Sequence, residues 1–184
     1  MIYGERIRFR AIERDDLPSF VKWINDPEVQ EGIGIIRPYS QTEEEKWFED
    51  MLVRPAEERV LAIEARLAGE PGSETGDHLW KLIGTIGFGK FDWRNRAAEL
   101  GINIGDKDFW NQGYGTEAVR LLAHYGFSTL NLHRIFLRVL ETNPRAIHAY
   151  EKAGFIHEGR LRRAEFRKGK FIDMLVMSML QDEF

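Results

Sequence analysis

The chain has 184 residues, 43% hydrophobic and 30% charged, with no cysteine and a formal net charge of −4 at pH 7. That is the composition of an ordinary globular domain with one sizeable core. It excludes disulfides, thiolate metal sites and a cysteine nucleophile, and its sign disfavours bulk nucleic-acid binding. The five histidines form no H-x-x-x-H pair, so no metal is expected, and no apolar run approaches membrane-spanning length. The opening residues, charged from Glu5 onward, read as no secretory signal. A cytoplasmic protein without a membrane partner is the expectation.

In chain order, Ile7, Phe9 and Ala11 alternate as in a strand, and a helix is predicted over about 15–25 with Leu17, Phe20, Val21 and Ile24 on one face and Pro27 closing it. A second helix starts at "YSQTEEEKWF", where Ser40 with Glu43, or Thr42 with Glu45, offers a capping box. "RVLAIEARL" reads as a strand and "AGEPGSETGDH" (68–78) as a polar loop. "LWKLIGTIGFGKFD" and "AAELGINIG" form a predicted antiparallel hairpin around "WRNR".

A helix is predicted over 116–130, preceded by Gly113 and Gly115, and "RIFLRVL" follows as a buried strand. "NPRAIHAYEKAGF" carries helix punctuation: Asn143 as N-cap, Pro144 at the first position, Gly154 just past the end. Two strands, 156–166 and 171–180, turn at Lys168-Gly169. The later one, at 174–180, is a candidate exposed edge through which a homodimer could pair.

Charge is unevenly placed. Residues 26–50 hold eight acids against Arg37 and Lys46, while "RLRRAEFRKGK" holds six bases and Glu165. Solvated surface explains both clusters; attraction of a cationic acceptor is the alternative reading of the first.

Glycines ahead of a helix let backbone N–H groups approach a phosphate. "GYGTEA" fits the loose dinucleotide pattern G-x-G-x-x-G/A, but "DKDFWNQ" separates it from its strand and the upstream strands are antiparallel, unlike a dinucleotide fold. No Lys-Ser/Thr pair follows, which excludes a P-loop.

The order hairpin strand, glycine loop, helix, strand, Asn-capped helix, C-terminal hairpin resembles the GNAT superfamily of acyl-CoA-dependent N-acetyltransferases. The family's Q/R-x-x-G-x-G/A loop corresponds to Trp110-Asn111-Gln112-Gly113-Tyr114-Gly115, with Trp110 in place of Gln/Arg, and "ETNPRAIHAYEKAGF" is similar to its N-x-x-A-x-x-x-Y-x-x-x-G-F segment. "WINDPEV", "DWRNRAAELGI" and "EGRLRRAEF" extend the likeness, toward ribosomal-protein alanine and spermidine acetyltransferases.

The resemblance implies one α+β domain over 1–184, a GNAT fold with a central mixed, largely antiparallel sheet flanked by about four helices. It implies acetyl-CoA as cosubstrate, held by Gln112, Gly113, Tyr114, Gly115, Thr116 and Asn143, with an oxyanion donor from Ile102 or Asn103. Asn143 is equally explained as a cap alone.

Tyr150 is the candidate acid for the leaving thiolate, or else a packed aromatic. Glu99 is the candidate base, or else a surface strand carboxylate. Without a cysteine no cysteinyl acetyl-enzyme can form, and direct transfer within a ternary complex is the expectation. His133, His148 and His157 fall on no matched position.

The expected acceptor is a protein N-terminal amine of ribosomal-protein type, with a polyamine or other small amine as the alternative. An α-amine is ~14% neutral at pH 7 and a lysine-like amine only ~0.04%, so the latter needs a base far more. A non-catalytic acyl-CoA sensor is the competing class.

Overall fold

The computed structural model describes residues 1–35, 37–67 and 79–184. The loop expected at 68–78 lies outside the described residues.

Eight strands form one sheet: β1 Ile2–Tyr3, β2 Ile7–Ala11, β3 Leu61–Arg66, β4 Trp80–Asp92, β5 Ala97–Ile104, β6 Arg134–Leu140, β7 Ile156–Arg167 and β8 Lys170–Leu180. Their order is β1-β2-β3-β4-β5-β6-β8-β7. The β5–β6 pair is the parallel one, and every other pairing is antiparallel. The helices are α1 Leu17–Ile24, the single turn α2 Pro27–Gln30, α3 Gln41–Leu52, α4 Tyr114–Ser128 and α5 Pro144–Ala153. This is the expected α+β architecture.

Two cores explain why the helices fold where they do. Leu17, Phe20 and Trp23 of α1 pack with Phe48 and Met51 of α3 around Ala62 of β3. Ala118, Val119, Leu122, Ala123 and Phe127 of α4 pack with Tyr150 and Ala153 of α5 against Ile83, Ile86, Ile135 and Leu137 of the sheet. Ser40 and Glu43 close the predicted capping box on α3.

Three expectations need correction. Pro27 opens α2 instead of closing α1: Asp26 caps its N-terminus, and a proline is favoured at the first helical position, where no N–H is needed. Trp23 joins the buried face of α1, and the strand's inward alternation ends at Phe9, since Ala11 is exposed. Finally, β8 is no edge. It lies between β6 and β7, so 174–180 is paired on both sides and the free edge belongs to β7.

The hairpin β4–β5 is locked by a close approach. A Cβ added at Gly84 would lie 2.1 Å from the Asn103 carbonyl oxygen and 2.9 Å from Ile104 Cα. Both obstacles are backbone, so the strands themselves must separate. Gly84→Ala is expected to cost about 2–3 kcal/mol, read as a fall in the midpoint of urea unfolding.

Candidate active site

The parallel pairing of β5 and β6 covers three residue pairs, Ala97 with Arg134, Ala98 with Ile135 and Glu99 with Phe136. Beyond them the strands diverge. Their facing edges, over Leu100–Ile104 and Arg138–Leu140, border a cleft of about 1070 Å³ roofed by the starts of α4 and α5.

At the top of the cleft Gly113 adopts φ 85°, which turns the chain into α4 with no side chain capping the helix. On α2, α3 and α5 the cap is filled: Asp26 accepts from the Glu28 N–H, Ser40 from the Glu43 N–H and Asn143 from the Ala146 N–H. The first intrahelical bond of α4 uses the Glu117 N–H, which leaves those of Tyr114, Gly115 and Thr116 beyond the helix's own bonding. Uncapped amides at a helix N-terminus suit a phosphate. Gly113 is pinned from behind by Arg6, which bonds Glu117 at 2.9 Å and the Gln112 carbonyl at 3.1 Å and lies over the Tyr114 ring.

Ile102, Asn103, Gly113, Tyr114, Gly115, Thr116, Asn143 and Tyr150 all line this one cleft. Consecutive N–H groups on a strand point to opposite sides, so one of Ile102 and Asn103 directs its donor away from β4 and into the opening between the strands. Asn143 both caps α5, at 3.1 Å from the Ala146 N–H, and presents its amide toward Gly32. Tyr150 lies two helical turns further along, 8% exposed, and burial pushes its phenol up to about 12. Its hydroxyl has no protein partner among the described residues.

Two expected residues stand elsewhere. The Gln112 side chain turns back to the Asp108 carbonyl and does not line the cleft. Glu99 is also absent from the lining: its carboxylate is held by Lys90 at 2.7 Å and by Arg138 at 2.7 Å. Desolvation raises its pKa, but the bonds from Arg138 and Lys90 prevail and leave it below the ordinary carboxylate range. A carboxylate so engaged is a weak base. Glu99→Gln is expected to lower kcat far less than the ~10²-fold typical of a lost general base, as initial rates at saturating substrates would show.

The sequence reading missed Glu44. It is 3% exposed and lines a second cavity of about 270 Å³ together with Phe20, Trp23, Tyr39 and Trp47. Asn103, Ile33 and Gly34 border both cavities, so the two adjoin. No side chain among the described residues bonds the Glu44 carboxylate, and desolvation pushes it up to about 7. Five neighbouring acids are paired with cations: Asp26 and Glu28 with Lys107, Glu31 with Lys168, Glu43 with Arg37, Glu49 with Arg14. The signal was present in the sequence, because Glu44, Trp47, Phe48 and Met51 share one helical face.

The far wall of the cleft comes from the C-terminal hairpin. Arg167 and Glu165 of β7 line it, and the hairpin tip reaches α2 through Lys168–Glu31 at 2.6 Å and Arg167 to the Gln30 carbonyl at 3.1 Å. Among the described residues no cluster of His, Cys, Asp and Glu could hold a metal.

Comparison with known proteins agrees with this geometry. Residues 6–156 match the model of the acetyltransferase (GNAT) domain family. An uncharacterized N-acetyltransferase, p20, of Bacillus licheniformis is 32% identical over 183 residues, covering 100% of this chain and 97% of that one. A spermidine N(1)-acetyltransferase of Vibrio cholerae is 28% identical over 181 residues, 98% and 96% of the two chains. The crystal structure of the Vibrio cholerae spermidine N-acetyltransferase in complex with CoA and spermine superposes with a TM-score of 0.82 at 28% identity, covering 98% of each chain. With a splayed parallel pair, an uncapped glycine-led helix and a buried tyrosine arranged on this sheet, the chain belongs to the GNAT family and is an acetyl-CoA-dependent N-acetyltransferase.

Proposed function

We propose that the acceptor is a polyamine or a similar small oligoamine, acetylated on a primary amine by direct transfer within a ternary complex. The observation that carries this reading is Glu44. A buried carboxylate without a cation partner among the described residues, walled by aromatic faces and next to the acyl site, suits an alkylammonium group, which gains from both the charge and the π faces. A second ammonium held there would leave the first free to reach the thioester. The likeness along the whole chain to spermidine acetyltransferases supports the same class. An N-terminal peptide amine, the acceptor expected from sequence, carries no obligatory second cation and would leave Glu44 without a role.

In this reading the α4 amides and Asn143 hold the coenzyme, the inward N–H of Ile102 or Asn103 supports the developing oxyanion, and Tyr150 donates to the departing sulfur. Glu99 fixes Arg138 in the cleft wall.

The test is release of free thiol from acetyl-CoA, read with Ellman's reagent, against spermidine, spermine, Ala- and Ser-starting peptides and free amino acids. The chain has no cysteine, so the protein adds no background. Turnover with the polyamines at least tenfold above the peptides is expected. Preferential turnover of the peptides would overturn the polyamine reading and restore the N-terminal one.

A further inference from the structure

Five arginines line the large cleft: Arg6, Arg120, Arg138, Arg145 and Arg167. Four have acceptors. Arg6 bonds Glu117, Arg120 the Lys152 carbonyl, Arg138 Glu99 and Arg167 the Gln30 carbonyl. Arg145 makes no hydrogen bond or ion pair among the described residues. Its guanidinium carbon lies over the Trp110 ring, 3.3 Å from the centroid.

Three features oppose a cation at that point. Arg145 is the second residue of α5, and a helix N-terminus favours negative charge. Burial desolvates the guanidinium and lowers its pKa, with only Glu28 pulling the other way. Glu28 is itself engaged by Lys107 at 2.6 Å. An arginine kept against these costs, facing a cleft and without an acceptor, is set for an anion from outside the chain.

The position says which anion. Trp110 is three residues ahead of Gly113, on the loop that feeds the uncapped α4 amides. Its indole is fixed by a 2.6 Å bond from Nε1 to the Ile104 carbonyl, so it is a firm platform. Stacking occupies the face of a guanidinium and leaves its N–H edge free for paired contact with phosphate oxygens. We propose that Arg145, held on Trp110, binds the pyrophosphate of the coenzyme and supplies the side-chain contact that the tryptophan cannot make.

The experiment measures the affinity of wild type, Arg145→Ala and Arg145→Lys for three ligands: CoA, 3′-dephospho-CoA and acetylpantetheine, which has no phosphate. Arg145→Ala is expected to weaken CoA and 3′-dephospho-CoA alike, by about tenfold or more, as for a lost hydrogen bond to a charged group. Acetylpantetheine should bind within about twofold of wild type, because only phosphate contacts are touched. Arg145→Lys should recover part of the loss, since an ammonium keeps the charge but neither the stack nor the paired contact.

An equal loss for acetylpantetheine would mean that Arg145 only shapes the cleft, and would overturn the proposal. A loss for CoA that vanishes for 3′-dephospho-CoA would assign Arg145 to the 3′-phosphate and overturn the pyrophosphate assignment. Unchanged affinity for all three would remove Arg145 from the site. Each reading is independent of the acceptor, so a polyamine result of either sign leaves it standing.

Discussion

Tyr150→Phe should lower kcat by ~10²-fold or more while leaving acetyl-CoA affinity within about twofold. The phenyl ring keeps the volume that packs against Phe155, at 6.1 Å between ring centroids, so folding should be spared and only the hydroxyl is lost. Burial holds the phenol at about 12, so it is protonated throughout the working range and lends kcat no alkaline limb below about pH 11. A thiol ionises near ~8.5, so handing the phenol proton fully to the thiolate would be uphill by ~5 kcal/mol. In the proposed reaction Tyr150 would therefore donate a hydrogen bond to sulfur as charge develops there, while the neutral amine attacks the carbonyl, the nitrogen made cationic by attack loses its proton to water, and the C–S bond breaks to release thiolate. Initial rates of both proteins from pH 6 to 10, with titration of CoA binding, separate the roles. An unchanged kcat would make Tyr150 a packed aromatic and nothing more.

Glu44→Gln should act in two opposite directions. In the folded protein the carboxyl titrates at about 7, above its ordinary 4.5. The folded state thus holds the proton more tightly than the unfolded chain, so this group's contribution to stability falls as pH rises from 4.5 to 7. Above pH 7 the full cost of the buried charge is present, on the order of 3 kcal/mol. Glutamine carries no charge, so relative to wild type the variant should gain about 5–10 °C in Tm on going from pH 5 to pH 8. Its KM for spermidine should rise about tenfold or more at pH 8, because the ammonium loses its counter-ion. The wild-type KM should also climb as pH falls below 7, and the variant's should not. Thermal scans at both pH values and steady-state rates give both numbers. A Tm difference that does not depend on pH, together with an unchanged KM, would make Glu44 a solvated helix carboxylate.

These two residues mark the range of what the sequence made legible. Tyr150 was readable because it stands inside local punctuation: the Asn143 cap, Pro144, and Gly154 at φ 108°. The Lys168-Gly169 turn was readable for the same reason, since both residues take positive φ. Glu44 was hidden among three consecutive glutamates, equal in type and distinguished only by helical phase relative to the partner core. Glu99 could be read only as two alternatives, base or strand carboxylate, because its engagement depends on Lys90 and Arg138, which reach it from neighbouring strands. The edge assignment failed likewise. Local pattern gives a strand's existence, while lateral order comes from how β6 and β7 both pair with β8. Arg145 needed the fold outright, because its freedom is visible only once the four other cleft arginines are seen to be satisfied.

The divergence of β5 and β6 after three pairs has a consequence for the protein's life without substrate. It places two strand edges in the middle of a sheet, beyond the reach of strand pairing among the described residues. The amide-bearing arm of the coenzyme, laid between those edges, would complete the pairing that β5 and β6 leave open. By mass action, coenzyme at a hundred times its dissociation constant would add about 2.7 kcal/mol to the folding free energy. Amides along Leu100–Ile104 should then exchange with deuterium at rates that report coenzyme supply. The enzyme's durability and its charge of acetyl donor are, in that sense, one quantity.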